Sequence, residues 1–197
     1  MVQELFSAKN RAPATREEVL HLLTQLAIPT HLWGKGEAQT VDKFVEEVLS
    51  GEAELAMTPD HRLERIARGS KVDVYYLSDA GLLRLVEDRQ EFRDGRRRHR
   101  RGKIDFSVGE KCKRNESAEN AAYRALEEEL GVTEPLPLEA LGEEPRKTTP
   151  SLAYPGTITT YISTRFRVML PAQWYKQEGY VERQNDKSTY FVWEPTT

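Results

Sequence analysis

Cysteine is almost missing from this chain of 197 residues: Cys112 stands alone, which excludes an internal disulfide. Histidine is scarce as well. His21, His31, His61 and His99 are scattered, no Cys/His spacing fits a metal site, and no serine or cysteine is paired with a histidine in a recognisable nucleophile pattern. Long apolar runs are absent: nothing approaches the roughly 20 residues that a membrane-spanning helix needs, and the opening MVQELFSAKNRAP lacks the apolar core of a signal peptide. A one-signed charge excess is missing too. The net charge of −3 gives no global attraction to nucleic acid, so any such binding must come from a local patch. These absences lead to the expectation of a cytoplasmic protein with no membrane partner.

What is present reads as globular. Apolar residues make up 38% and charged residues 31%, enough to bury a core in one domain with a small appendage. The appendage is residues 1–61, an N-terminal helical extension packed on the domain. Thr15 to Glu18 reads as a capping box ahead of Val19, Leu22, Leu23 and Leu26, and Ile28-Pro29 ends that helix. A second helix runs from about Thr40, with Val41, Phe44, Val45, Val48 and Leu49 on one face and Ser50-Gly51 as its stop. Residues 62–197 alternate strand signals with one strong helix. Val72–Leu77, a turn at Ser78–Gly81, and Leu82–Val86 read as a hairpin. Ile104–Val108 is a further short strand, Thr157–Leu170 a long one, and Thr189–Trp193 closes the chain.

The most informative segment is residues 116–132, ESAENAAYRALEEELGV. At 100° per residue, Ala122, Tyr123, Leu126 and Leu130 form one apolar stripe, and Ala118, Ala121, Ala125, Glu128 and Glu129 lie on a neighbouring face. Gly131-Val132 is a helix stop. Helix formation does not need Glu128 beside Glu129; the two carboxylates repel. A hard divalent cation bridging a diphosphate would relieve that repulsion, whereas a bland reading makes Arg124–Glu128 an ordinary surface pair worth a few tenths of a kcal/mol.

The spacing resembles the Nudix box, G-x5-E-x7-R-E-U-x-E-E-x-G-U with U a bulky aliphatic residue. Glu116, Arg124, Leu126, Glu128, Glu129, Gly131 and Val132 stand at its positions. Glu110 replaces the opening glycine, with Gly109 one place early, and Ala125 replaces the glutamate after the arginine. The resemblance implies a Nudix-like α/β/α sandwich on a mixed sheet over residues 62–197. It also implies Glu128 and Glu129 as ligands of a weakly held Mg²⁺, or Mn²⁺ in its place, with Glu116 and Arg124 completing the catalytic set. The glutamate missing at 125 is, in Nudix hydrolases, a metal ligand or the base that activates water.

Three further features carry functional weight. Arg93–Lys103 is a basic loop in which Arg96, Arg98 and Arg100 suit phosphate oxygens, against the plain alternative of a solvated hairpin tip. Nucleic acid is the weaker reading for this loop, since no aromatic residue is interleaved within it. In Thr148–Gly156, Tyr154 suits stacking on a base or sugar, or else is packed on the core of a Pro-Gly turn. Glu178 and Glu182 follow the box and offer a carboxylate in place of the one missing at 125.

Two function classes follow. One is a Nudix-type pyrophosphohydrolase acting with Mg²⁺ on a nucleoside diphosphate-linked or related pyrophosphate compound. The other is a non-catalytic Nudix-fold binding or protein-interaction module that has lost hydrolysis through Ala125. A phosphate-bearing small molecule is the expected partner, and a homo-oligomer is compatible with either class.

Overall fold

The computed structural model describes residues 12–196. Their elements run α1 (Arg16–Gln25), α2 (Val41–Ser50), β1 (Glu54–Met57), β2 (Leu63–Ser78), β3 (Gly81–Phe92), β4 (Arg97–His99), α3 (Ala118–Leu130), β5 (Glu139–Glu143), β6 (Lys147–Pro150), β7 (Ile158–Met169), β8 (Tyr180–Arg183) and β9 (Lys187–Pro195), with short 3₁₀ turns at Thr30–Leu32 and Ala172–Trp174. The fold class is α/β on a mixed sheet with a helical N-terminal part, as expected. Among the described residues no helix is long and apolar enough to cross a membrane.

The chain forms two compact units, one of Met1–Arg68, Lys111–Glu116 and Pro145–Ile162, the other of Gly69–Glu110, Ser117–Glu144 and Ser163–Thr197. They do not divide at residue 61/62. Strands β2 and β7 give their first residues, 63–68 and 158–162, to the first unit and the remainder to the second.

In the first unit the capping signals hold. Thr15 Oγ1 accepts from the Glu18 N–H at 3.2 Å, and the Glu18 carboxylate accepts from the Ala14 N–H at 2.7 Å, one residue ahead of the cap itself. Thr40 caps α2 in the same way, and Gly51 ends it at φ 82°, a left-handed conformation suited to glycine. The apolar faces of both helices meet Trp33, Leu63 and Tyr154 in one core. Strand β1 pairs antiparallel with the start of β2 from Glu54↔Ile66 to Met57↔Leu63, and β6 pairs with the start of β7. A buried ion pair, Arg65 to Glu47 at 2.6 Å, lies in this unit, and Lys111 also donates to Glu47.

In the second unit the strands follow the order β5-β7-β2-β3-β9-β8. Helix α3 lays Ala122, Ala125, Leu126 and Leu130 against Val72, Val74, Leu85, Phe166, Val168 and Phe191. The β2–β3 hairpin is tightly paired only from Ser78↔Gly81 to Tyr75↔Arg84. Further along, residues 104–108 meet β2 and β3, and the expected strand there is reduced to a single bridge, Val72↔Val108. The reason is that a side chain does the work of a ladder. Ser107 Oγ accepts from the buried Val74 N–H at 2.9 Å and donates to the Leu85 carbonyl at 2.6 Å, so backbone groups of two strands are satisfied by one hydroxyl.

Candidate functional site

Helix α3 begins at Ser117, whose hydroxyl accepts from the Asn120 N–H at 3.1 Å, and ends at Gly131 with φ 74°. Its last turns carry Arg124, Glu128 and Glu129, because the stripe that includes Leu126 and Leu130 is spent on the core. Arg124 reaches Glu110 at 2.9 Å and Glu128 at 3.5 Å. The residue that replaces the motif glycine is therefore the partner of the motif arginine.

Gly109 explains how the loop tolerates this. A Cβ at position 109 would lie 2.6 Å from the Ser70 carbonyl oxygen, so the close approach that needs a glycine occurs one place early. The Gly109 N–H donates to Glu129 Oε1 at 3.0 Å. The Glu129 carboxyl is pushed well above the usual carboxylate range, first by burial and then by repulsion from Glu182, Glu110 and Glu87, which the Gly109 bond only partly offsets. Burial also raises Glu87, against the opposing charges of Arg100 and Lys187. Glu182, Glu110 and Glu87 thus lie near enough to Glu129 in the second unit to repel its charge.

Of the basic residues, Arg100 reaches this group, donating to Glu87 at 3.2 Å. A bulge between Glu87 and Arg89 frees the Asp88 carbonyl, which accepts from the N–H groups of Arg100 and Arg101 and fastens the basic segment to β3. Arg96 and Arg98 lie elsewhere on the hairpin, over the ring of Phe92 at 4.9 and 5.5 Å, and Arg96 pairs with Asp94 at 2.7 Å. Part of the expected loop is strand β4, and neighbouring carboxylates neutralise much of its charge: Arg97 pairs with Glu91 at 2.6 Å and Arg101 with Asp88 at 3.0 Å.

Tyr154 requires a correction as a ligand-stacking residue. It is 1% exposed in the core of the first unit, with Phe44 and Trp33 at 4.9 and 5.1 Å between ring centroids and Arg65 over its face. A large aromatic ring in a turn next to a strand is drawn inward by its apolar area, which outweighs the pull of its hydroxyl toward water. Glu116 also belongs to the first unit, where its carboxylate accepts from the Lys113 N–H at 2.7 Å.

Glu87 and Glu110 were not legible as site residues. Glu110 occupies a glycine position of the motif, and Glu87 stands in a strand with no motif around it; of the three carboxylates that repel Glu129, Glu182 on β8 is the one the sequence offers as a candidate.

The family model that matches is the NUDIX domain, over residues 68–184. The chain belongs to the Nudix family. Solved structures similar to it include the NUDIX domain of Shewanella oneidensis NrtR complexed with ADP ribose, 12% identical, covering 65% of this chain and 71% of that one with a TM-score of 0.38. Another is DR0079 from Deinococcus radiodurans, 20% identical over 70% of this chain and 72% of its own, with a TM-score of 0.40. A third is a C. elegans Ap4A hydrolase, 12% identical over 65% and 79%, with a TM-score of 0.36. No curated protein matches the chain in sequence. Nudix hydrolases generally use divalent metals. Among the described residues no three His, Cys, Asp or Glu side chains are grouped as a metal cage. Carboxylates suit a hard divalent cation that takes one or two of them and completes its shell with waters and substrate phosphates. Glu129, whose charge is repelled by Glu182, Glu110 and Glu87, is a hard oxygen donor of that kind.

Proposed function

We propose that this cytoplasmic Nudix protein binds a nucleoside diphosphate-linked or related pyrophosphate compound together with Mg²⁺, or Mn²⁺ in its place, and hydrolyses it slowly. The observation that carries the reading is Glu129: a carboxylate that accepts from the Gly109 N–H while burial first, and then Glu182, Glu110 and Glu87, raise its proton affinity. A cation beside Glu129, with Glu128 as a second donor, would neutralise that repulsion and supply charge stabilisation to a transferring phosphoryl group. Arg124 holds Glu110 and Glu128 in place. Arg100 is the basic side chain best placed to meet phosphate oxygens, Arg96 and Arg98 contributing from the hairpin, and Glu116 keeps the role that its box position implies.

The second reading, a binding module without hydrolysis, is favoured by Ala125, which has no exposed surface and packs in the core where the motif has a carboxylate. One experiment separates the two. Thermal shift and phosphate release are measured with Mg²⁺ or Mn²⁺ against ADP-ribose, Ap4A and other nucleoside diphosphate derivatives, for the wild type and Glu129→Gln. Cation-dependent stabilisation that Glu129→Gln abolishes supports the site, and turnover above background selects the enzyme. Stabilisation that ignores both the cation and the variant would sink the reading. Because burial and repulsion raise Glu129, its ionised form destabilises the fold at neutral pH. Glu129→Gln is therefore expected to raise the metal-free Tm by about 2–4 °C, the shift that roughly 1 kcal/mol produces in a chain of this size, and the gain shrinks as pH falls and Glu129 protonates.

A further inference from the structure

The first unit holds a cleft of about 410 Å³ whose lining shares one residue, Glu116, with the box. Its floor is apolar: Val48 from α2, Leu55 from β1 and Ile66 from β2. Eight of its fourteen lining residues precede residue 68, where the NUDIX match begins, and the other six lie within the match. Its wall is built by backbone hydrogen bonds. The Arg114 N–H donates to the Ser50 carbonyl at 3.1 Å and the Cys112 N–H to the Arg68 carbonyl at 2.9 Å. Gly51 lets the wall come this close, since a Cβ there would lie 2.6 Å from Arg114 Cβ.

The charge around the cleft selects a head group. Arg68, Lys113 and Arg114 supply three positive charges, and Glu54 and Glu116 two negative ones. Arg68 is held only loosely by Glu54, at 3.5 Å, and Glu116 accepts from a backbone N–H in its own loop. Among the described residues neither the Lys113 ammonium nor the Arg114 guanidinium has an ion-pair partner. One positive charge is left over above an apolar floor, in a volume within the roughly 300–1,000 Å³ of small-molecule sites.

We propose that this cleft is a binding site for a small amphipathic monoanion, its apolar body on Val48, Leu55 and Ile66 and its charged head on Lys113 and Arg114. Glu116 lies both on this lining and in the box, so the test substitutes none of the box carboxylates and reads ligand binding rather than turnover. The probes are 8-anilinonaphthalene-1-sulfonate, which has one sulfonate on an apolar body, its neutral counterpart N-phenyl-1-naphthylamine, and inorganic phosphate. The intact chain is expected to bind one sulfonate probe, at least about tenfold more tightly than the neutral one, because a charge-assisted contact is worth about one decade or more in affinity. Phosphate, with charge but no apolar body, does not displace it. Combining Lys113→Ala with Arg114→Ala removes the tenfold preference and leaves the neutral probe unchanged, whereas Arg114→Lys retains most of it. The bound sulfonate also slows N-ethylmaleimide at Cys112, the chain's only thiol, which lines the cleft. Melting of each variant by circular dichroism checks that it is folded. Equal affinity for the two organic probes, indifference to the double substitution in a folded variant, or a Cys112 that stays unprotected would each overturn the proposal.

Discussion

At the scale of single residues, Ala125 and Glu110 decide how this member of the family differs from its motif. Ala125 has no exposed surface and sits among Val74, Leu126 and Phe166 in the core of the second unit. A glutamate there would lie one turn before Glu129 on the helix, with its stem in the core and its carboxylate next to one already repelled by three others. Ala125→Glu is expected to cost about 3 kcal/mol of stability without metal, the penalty of a buried charge lacking compensation. Saturating Mg²⁺ or Mn²⁺ should recover at least half of that. Chemical denaturation with and without cation measures both, and a variant that is destabilised but blind to cations would place no metal site between 125 and 129. The sequence made Ala125 legible as a departure, because motif spacing is a one-dimensional property. It did not reveal that Glu110 pairs with Arg124, since that contact depends on a loop whose glycine has moved by one residue. Nor could it place Tyr154, where an aromatic ring in a Pro-Gly turn is equally consistent with a pocket wall and a core, and only the neighbouring Phe44 and Trp33 decide.

At the scale of elements, helices were easier to read than strands. Helices α1, α2 and α3 all begin at a hydroxyl residue, Thr15, Thr40 and Ser117, whose side chain caps the first turn, and α2 and α3 both stop at a left-handed glycine. Those signals are local. The short strands β1, β4, β5, β6 and β8 carry no comparable signal, because each exists by pairing with a long strand that is remote in sequence or turned back on itself. Residues 104–108 went the other way: their apolar alternation resembles a strand, yet the Ser107 hydroxyl replaces the ladder between Val74 and Leu85. Ser107→Ala would leave a buried N–H and a buried carbonyl without that partner, so a loss of at least about 2 kcal/mol is expected. Ser107→Thr, which keeps the hydroxyl, should retain most of the stability if the extra methyl is accommodated. The comparison is made by urea denaturation of the two variants, and an alanine variant as stable as the wild type would show that the hydroxyl is not needed to satisfy these groups.

At the scale of the whole molecule, two compact units carry opposite electrostatic liabilities. In the first, burial pushes Glu47 upward, but the charges of Lys111 and Arg65 and their hydrogen bonds outweigh it and hold the carboxyl below its ordinary value of 4.5. A carboxyl lowered in the folded state contributes stability above its unfolded value and loses that contribution as pH falls through the folded one. In the second, Glu129 is raised, so its ionised form is a penalty at neutral pH that fades as pH drops toward the ordinary value. The sign differs, and so does the pH window. From neutral pH down to about 4.5, as the penalty on ionised Glu129 fades, residues 118–130 should become more protected while residues 41–68 hold steady. Below about 4.5 the Glu47 contribution is withdrawn and protection in α2 and the start of β2 should fall first. Hydrogen exchange followed by mass spectrometry, with rates corrected for intrinsic pH dependence, reads each segment separately and needs no single global unfolding free energy, which two units need not share. Parallel loss of protection in both segments over the whole range would reject this division. In Glu129→Gln the gain in residues 118–130 should disappear while the acid-induced loss in residues 41–68 persists, because the substitution leaves Glu47, Arg65 and Lys111 untouched.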